Sequence, residues 1–479
     1  MNRIFDDMSA TDLRAAIASK AVSPVEVVQR SLERLQEVEP QINAFVEVTA
    51  DLALAAAHEA QRQVLAGEPL GLLHGLPVSI KDLIAVKDVA NRFGSRTQVD
   101  HVATVDAPSV QRLKAQGGCI IGKTTTSEFG CKAVGDSPLS GATRNPWDLT
   151  RTAGGSSAGA AASVAAGVSA LALGTDGGGS IRIPAAMNQL VGLKPSFGRV
   201  AIFPVSATPT LAHIGPLSRT VRDAALLLQA VAGYDARDPH SLLVAVPDFL
   251  GACEQPSGGL RIAWAPTLGY ARAAPEIVAI AEQAARAFTD LGCEVETVDW
   301  VLNDPEEVWF NEFYSGVGLR LQDELQSRPE DLDSAVLPLL QTALQRPLID
   351  YQRLMFERYR LRESLRTFFT RYDLLLTPTL PEVAPPVWQN VPTGHEGRNL
   401  ISWSYYTYPF NLTGQPAVTV PAGRTASGMP VGLQIVAPQF AECQLLSAAA
   451  AFEQLRPWSS ALPLQPPQGC MVAGEKQSY

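Results

Sequence analysis

Apolar residues in the first seventy positions recur three or four apart in three blocks, SATDLRAAIASK, SPVEVVQRSLERLQEVE and DLALAAAHEAQRQVLAG. That spacing predicts helices. Ser9 or Thr11 is placed to cap the first, while Ser23-Pro24 and the region of Gly67 punctuate the others. Residues 1–70 therefore read as an N-terminal helical layer. From residue 71 short apolar runs alternate with helical ones: LPVSIKD, PSVQRLKAQGG, CIIGKT, a long Ala-rich helix, LALGTD, PAAMNQLVG and RVAIFP. The alternation predicts an α/β fold around one large sheet. A further strand–helix–strand unit follows in RIAWAP, PEIVAIAEQAARAFTDLG and CEVETVDW, and residues 305 to 370 read mostly as helices. Strands return in YDLLLTPTLP, PAVTVPAG and GLQIVAP before a last helix, AECQLLSAAAAFEQL.

No linker rich in Gly, Ser or charge separates these blocks and no repeat is visible, so residues 71–460 are expected to form one α/β domain in the same compact unit as the helical layer. Residues 461–479, rich in proline and ending in polar residues, read as a loosely ordered tail. The run AGAAASVAAGVSALALG invites a transmembrane reading, but it is mostly Ala, Gly and Ser and leads directly into TDGGGS, which favours a buried helix.

Composition narrows the function classes. The chain has 479 residues, 46% hydrophobic and 18% charged, as expected of a globular protein. A net charge of −10 and a pI near 5.2 argue against non-specific binding to nucleic acid or to an anionic membrane. The cysteines at 119, 131, 253, 293, 443 and 470 form no C-x-x-C pair and have no His-x₃₋₅-His partner, so neither a metal site nor a disulfide framework is indicated. Scattered single cysteines suit a cytoplasmic protein, and MNRIFDDMSATDL lacks the apolar run of a signal peptide.

Three stretches carry candidate chemistry. GGCIIGKT, residues 117–124, fits the phosphate-binding pattern G-x₄-G-K-T, yet a helix precedes its glycines and CII reads as strand where a loop is required. GSSAG, residues 155–159, fits the G-x-S-x-G elbow with Ser157 as nucleophile. The elbow needs a strand before it and a late histidine, whereas TRTAG reads as loop and His395 as an exposed residue in PTGHEGRN. The third stretch is GTDGGGSIRIPA, residues 174–185. Amides can approach a developing oxyanion closely only where side chains are absent, and Gly177, Gly178, Gly179 and Ser180 supply four consecutive N–H groups beside a hydroxyl. Glycine runs are commonly turns. The catalytic reading gains from a second Gly/Ser cluster, GGSSAG, and from the lysine of LPVSIKD.

GLPVSIKD, GGSSAG, GTDGGGSIRIPA and GLKPSFGRV, in this order, resemble the amidase signature family of Ser-cisSer-Lys hydrolases, and the likeness continues through PFNLTGQPAVTVPAG to PVGLQIVAP. The resemblance implies a mixed central β-sheet covered by helices on both faces. It also implies hydrolysis of a carboxylic amide C–N bond through an acyl-enzyme, with no metal or organic cofactor. Motif by motif it puts the nucleophile at Ser180, the bridging serine at Ser156 after a cis peptide from Gly155, and the lysine at Lys81. Asp176 and Arg182 match residues that buttress the nucleophile loop, and Ser157 is a candidate either for a bond within the triad or for a simple loop role. A lysine acts as base only when neutral, so burial or a nearby cation must lower its pKa from about 10.4. Lys123 and Lys194 read as structural or surface residues.

Within the family the rival is the glutamine-hydrolysing A subunit of a tRNA-dependent amidotransferase. LQTALQRPLIDYQRLMFERYRLRESLR lacks that protein's R-R-x-x-L-G-T, and NLTGQPAVTVPAG is closer to stand-alone amidases. The alternative of another class is a non-catalytic binding protein, which the intact Lys81, Ser156 and Ser180 disfavour. The expected partner is a small-molecule amide, with anilides, esters and carbamates as further substrates and a homodimer as the assembly the resemblance allows; neither nucleic acid nor membrane is expected. Trp309 and Tyr314 in WFNEFYSG, Trp403, Tyr406 and Phe410 in WSYYTYPFN, and Phe129 and Cys131 are candidates for an apolar, aryl-accepting pocket, with core packing as the other reading. Cys131 stands where relatives often carry tryptophan, which would widen the entrance.

Overall fold

The computed structural model describes residues 8–458 and 462–464. Most of the expected 461–479 tail lies outside the described residues. Among the described residues eleven strands form one mixed sheet: β1 (Phe45–Val48), β2 (Pro77–Lys81), β3 (Cys119–Thr124), β4 (Leu171–Asp176), β5 (Val191–Lys194), β6 (His213–Ser218), β7 (Arg261–Trp264), β8 (Glu294–Thr297), β9 (Leu374–Pro378), β10 (Ala417–Arg424) and β11 (Pro430–Val436). Their order is β1-β3-β2-β4-β6-β5-β10-β11-β9-β7-β8. Every residue of β2, β3, β5, β6, β9 and β11 is buried, which requires helices on both faces and explains why these segments, β6 excepted, read as apolar runs.

The N-terminal helices follow the sequence. Ala10–Ala18 is capped by Ser9, which accepts from the Asp12 amide. Pro24–Ile42 opens with a reciprocal Ser23–Glu26 capping box. Ala50–Ala66 ends at Gly67 with φ +70°, a conformation glycine adopts without penalty. The layer is not purely helical, because β1 pairs antiparallel with β3 at the sheet edge.

Three central segments differ from expectation. The Ala-rich run is a helix only over Ala158–Ala165, wholly buried, and Gly167 (φ +74°) turns the chain so that its second half becomes β4. Among the described residues no helix is long and apolar enough to cross a membrane. RVAIFP is not a strand: only Val200 makes an isolated bridge, and Pro204 has no N–H for a ladder. Thr150, Arg151 and Thr152, expected to be loop, belong to a strand Asp148–Thr152, but it pairs with Arg144–Asn145 in a two-stranded ribbon outside the main sheet.

The topology places one edge of the sheet for chemistry. β2 runs parallel to both β3 and β4, with Ile80 opposite Leu173, so Lys81 and Asp176 end neighbouring strands on the same side. Sites in open α/β sheets form at such carboxyl ends, where loops are free to carry side chains.

Candidate active site

Lys81 closes β2 and has no solvent exposure. Its Nζ donates to Ser156 Oγ at 2.7 Å and to Thr175 Oγ1 at 2.8 Å, with Thr175 O at 3.4 Å. Burial holds its pKa well below the ordinary lysine value, against the opposing charge of Asp176. The lysine is thus biased towards the neutral amine, which has a lone pair to accept a proton. Thr175, a direct partner of Lys81, carries no signal in the sequence beyond its place two residues before the glycine run.

Ser156 follows a cis Gly155–Ser156 peptide, as the resemblance implied. The neighbouring glycines permit close backbone approach: a Cβ on Gly155 would lie 2.2 Å from Val134 O, and one on Gly130 3.2 Å from Ser156 Oγ. Ser157 joins the two Gly/Ser motifs instead of the triad side chains. Its amide donates to Ser180 O (3.2 Å), and its hydroxyl donates to Thr175 O (3.2 Å) and accepts from Thr175 N (3.3 Å). His395 is buried, not exposed, and its Nδ1 lies 3.0 Å from Tyr405 Oη in place of any contact with Ser157. Among the described residues Ser157 therefore has no histidine base beside it, and the elbow reading fails.

The glycine run is fixed from behind. Gly177 O accepts from Trp309 Nε1 (2.9 Å) and Gly178 O from Thr407 Oγ1 (2.7 Å). In a trans peptide the carbonyl and the following N–H point opposite ways, so these bonds turn the amides of Gly178 and Gly179 away from Trp309 and Thr407. The Gly179 amide donates to Asp176 Oδ1 at 2.7 Å. This corrects the expectation of four donors: Gly177, Gly178 and Ser180 remain.

Asp176 also receives Ile181 N (3.2 Å), Arg182 Nε (3.0 Å) and Nη2 (2.9 Å), and Asn411 Nδ2 (2.8 Å), all at buried positions. Burial alone would raise the pKa of this carboxyl, but the charge and hydrogen bonds of Arg182 overcome it and hold Asp176 ionised. Arg182 donates further to Thr407 O, Gln434 Oε1 and Asn411 Oδ1, tying the loop to the C-terminal half of the chain. Thr407 and Asn411 both lie in WSYYTYPFN, polar residues in a stretch whose sequence signal is its aromatics.

Ser156, Thr175, Gly177 and Ser180 open on a cavity of about 190 Å³. Of the expected aromatic lining, Phe129 is present; the other aromatic walls are Phe93, Phe203 and Phe313. Trp309, Tyr314, Trp403, Tyr406, Phe410 and Cys131 do not line it, and this corrects the pocket assignment. Trp309 packs behind the glycines and Tyr314 donates to Cys131 O (3.1 Å). Tyr406 donates to Pro266 O (2.7 Å), while Trp403 and Phe410 are core residues without exposure. Helical spacing explains the swap of wall residues, since Phe313 lies one turn from Trp309 and stacks on it at 4.7 Å while covering Gly177. Cys131 has no exposure, so its size does not set the entrance.

Lys123 and Lys194 are buried, which corrects the surface option. Lys123, inside β3, pairs with Asp82 (3.0 Å) and Asn91 Oδ1 (2.6 Å), so GGCIIGKT is strand where a phosphate loop would be needed. Lys194 donates to Gln415 O and lies 3.3 Å from His213 Nε2. Among the described residues no group of three or more His, Cys, Asp or Glu is placed to hold a metal ion.

Comparison with known proteins fits this geometry. The family model described as Amidase matches residues 26–446. The chain is 38% identical over 469 residues to an acylamidase of Rhodococcus erythropolis, covering 95% of this chain and 97% of that protein. It is 34% identical over 478 residues to the A subunit of the glutamyl-tRNA(Gln) amidotransferase of Geobacter sp. (strain M21), covering 94% and 98%. Among solved structures, a bacterial aryl acylamidase of the amidase signature enzymes superposes with a TM-score of 0.90 at 32% identity, covering 95% of this chain and 98% of that one.

Proposed function

Starting from the fact that the chain belongs to the amidase family and is an amide hydrolase, we propose that it cleaves the amide C–N bond by acyl transfer to Ser180, with Lys81 as base and Ser156 as proton relay. The observation that carries the reading is the buried Lys81 Nζ at 2.7 Å from Ser156 Oγ, at the floor of a cavity that Ser180 also lines. As Ser180 Oγ bonds to the carbonyl carbon, its proton passes to Ser156 and the proton of Ser156 to neutral Lys81. The oxyanion forms facing the Gly177, Gly178 and Ser180 amides. Lys81 then returns the proton through Ser156 to the amide nitrogen, the C–N bond breaks and the amine leaves. Water attacks the acyl-enzyme by the same relay, so amide and water become acid and amine. Asp176 and Arg182 are positioning residues that hold the loop.

The phenylalanine walls favour an apolar or aryl amide as substrate, in keeping with the acylamidase relatives. Glutamine fits less well, because the described cavity lining offers no carboxylate to its ammonium group. Scattered, unpaired cysteines among the described residues support a cytoplasmic setting.

Exposure to a fluorophosphonate, followed by intact mass and peptide mapping, tests the mechanism. A single adduct on Ser180, absent in Ser180→Ala, slowed in Lys81→Ala and retained in Ser157→Ala, is the expected result. An adduct on Ser157 that survives Ser180→Ala overturns it.

A further inference from the structure

At the outer end of the cavity the wall carries a charge that the reaction does not use. Arg320 closes the helix Glu306–Arg320, is exposed, and lines the same cavity as Ser156 and Ser180. Its guanidinium carbon lies 5.4 Å from the centre of the Phe93 ring. Among the described residues it makes no hydrogen bond or ion pair. The nearest acids in sequence leave it free: Glu324 receives Gln98 Nε2 (3.4 Å) and lies 3.9 Å from Arg328, and Asp323 forms no ion pair among the described residues. Among those residues no aspartate or glutamate lines the cavity.

The aromatic part of this wall is a built feature. Phe93 stacks on Phe129 with centroids 5.4 Å apart and planes 7° from parallel. Both hold left-handed backbones, φ +55° and +46°, which aromatic residues rarely adopt. The Phe129 amide donates to Phe93 O at 2.8 Å, which locks the two turns together. Such conformations persist only where the surroundings impose them, and here their result is a flat apolar surface leading from the reactive serines to an unneutralised guanidinium. Guanidinium presents planar paired donors that match a carboxylate or sulfonate.

We propose that this cavity takes aryl amides bearing an anionic substituent remote from the scissile bond, with Arg320 as the residue that selects for the anion. The inference rests on the amide hydrolase reading above. The chain's overall charge of −10 disfavours an anionic ligand at long range, so a local cation is what lets one enter.

The test compares 4-acetamidobenzoate with neutral 4-methylacetanilide on the full chain. The wild-type protein should favour the benzoate in kcat/KM. Arg320→Gln should lose about tenfold on the benzoate, in the range of a partly exposed charge-assisted contact, and stay within about twofold on the neutral anilide. Arg320→Lys should keep most of the preference, and added salt should weaken it. Equal changes on both substrates in Arg320→Gln, or a wild-type protein indifferent to the charge, overturn the proposal. If neither compound turns over, protection of Ser180 from the fluorophosphonate decides. Protection by the benzoate in wild type but not in Arg320→Gln supports the proposal, and no protection refutes it. Absence of any Ser180 adduct is instead the failure of the Ser180 reading, and calorimetric titration of wild type and Arg320→Gln with the benzoate then decides the anion site: tighter wild-type binding supports it and equal or absent binding refutes it.

Discussion

Gly178→Ala isolates the work of the glycine run from its flexibility. Gly178 is not in the left-handed region, so its backbone accepts alanine and the perturbation is steric alone. The added Cβ would lie 2.8 Å from Trp309 Cζ2, 3.1 Å from Trp309 Cε2 and 3.1 Å from Ile401 Cγ2. Carbon atoms pack comfortably at about 3.5–4 Å, so a displacement of roughly half an ångström or more is required. Trp309 cannot easily provide it, because the ring is fully buried, stacks on Phe313 at 4.7 Å and donates to Gly177 O. The backbone therefore yields and carries the Gly178 amide away from the oxyanion position. Loss of one such donor costs about 10²–10³ in kcat, and overpacking costs about 1–3 kcal/mol of stability. Steady-state kinetics on an anilide and urea denaturation measure both. Trp309→Phe relieves the clash but also deletes the Nε1 donor to Gly177 O, so it should lower kcat by itself and yet cost less in the Gly178→Ala background than in wild type, a coupling that a double-mutant cycle reads directly. A kcat for Gly178→Ala within about threefold of wild type refutes the assignment of that amide.

Further expectations follow from the same geometry. Lys81 must be neutral to act, so kcat/KM should fall on the acid side as Lys81 binds a proton; a profile that stays flat down to the pH of unfolding contradicts a lysine base. Because the folded pKa of Lys81 is lowered, the unfolded chain binds more protons and stability rises with pH between the two values; Lys81→Met should abolish activity yet resist denaturant at least as well as wild type at neutral pH. Glu128 shows the opposite sign: burial outweighs its bonds to the Asp333 amide and Ser95 and pushes its pKa up to about 7. Its contribution is full below about 4.3, the unfolded value, and is lost as pH rises through about 7, so Glu128→Gln should flatten that slope and add up to about 3 kcal/mol at pH 8; an unchanged slope in urea melts refutes it. Phe313→Ala, which opens the wall beside Gly177, should lower kcat/KM for anilides about tenfold through KM, and equal losses on a small aliphatic amide would show that Phe313 merely supports the loop.

Local pattern along the chain was enough for the α/β class, the N-terminal helices with their Ser9 and Ser23 caps, and most of the strands, because buried strands and amphipathic helices write their periodicity into neighbouring residues. The glycine run beside Ser180 was legible as a candidate site from its residue types alone, whereas Lys81 and Ser156 came from the family resemblance of their motifs, and the fold brings those two side chains within 2.7 Å. Local pattern concealed β6, whose Pro216 argues against an interior strand although it pairs with Leu173. The identity of the cavity wall came from packing between distant elements. Phe93, Phe203 and Phe313 come from separate loops and helices, and which aromatic faces the serines depends on how those elements cross. Trp309 and Phe313 are equally apolar one turn apart, yet one supports the glycines from behind and the other covers the cavity. The Gly179 amide belongs to Asp176 for the same reason: hydrogen-bond direction is set by the packed loop, through Arg182, Asn411 and Thr407 brought from far along the chain, and no local pattern encodes it.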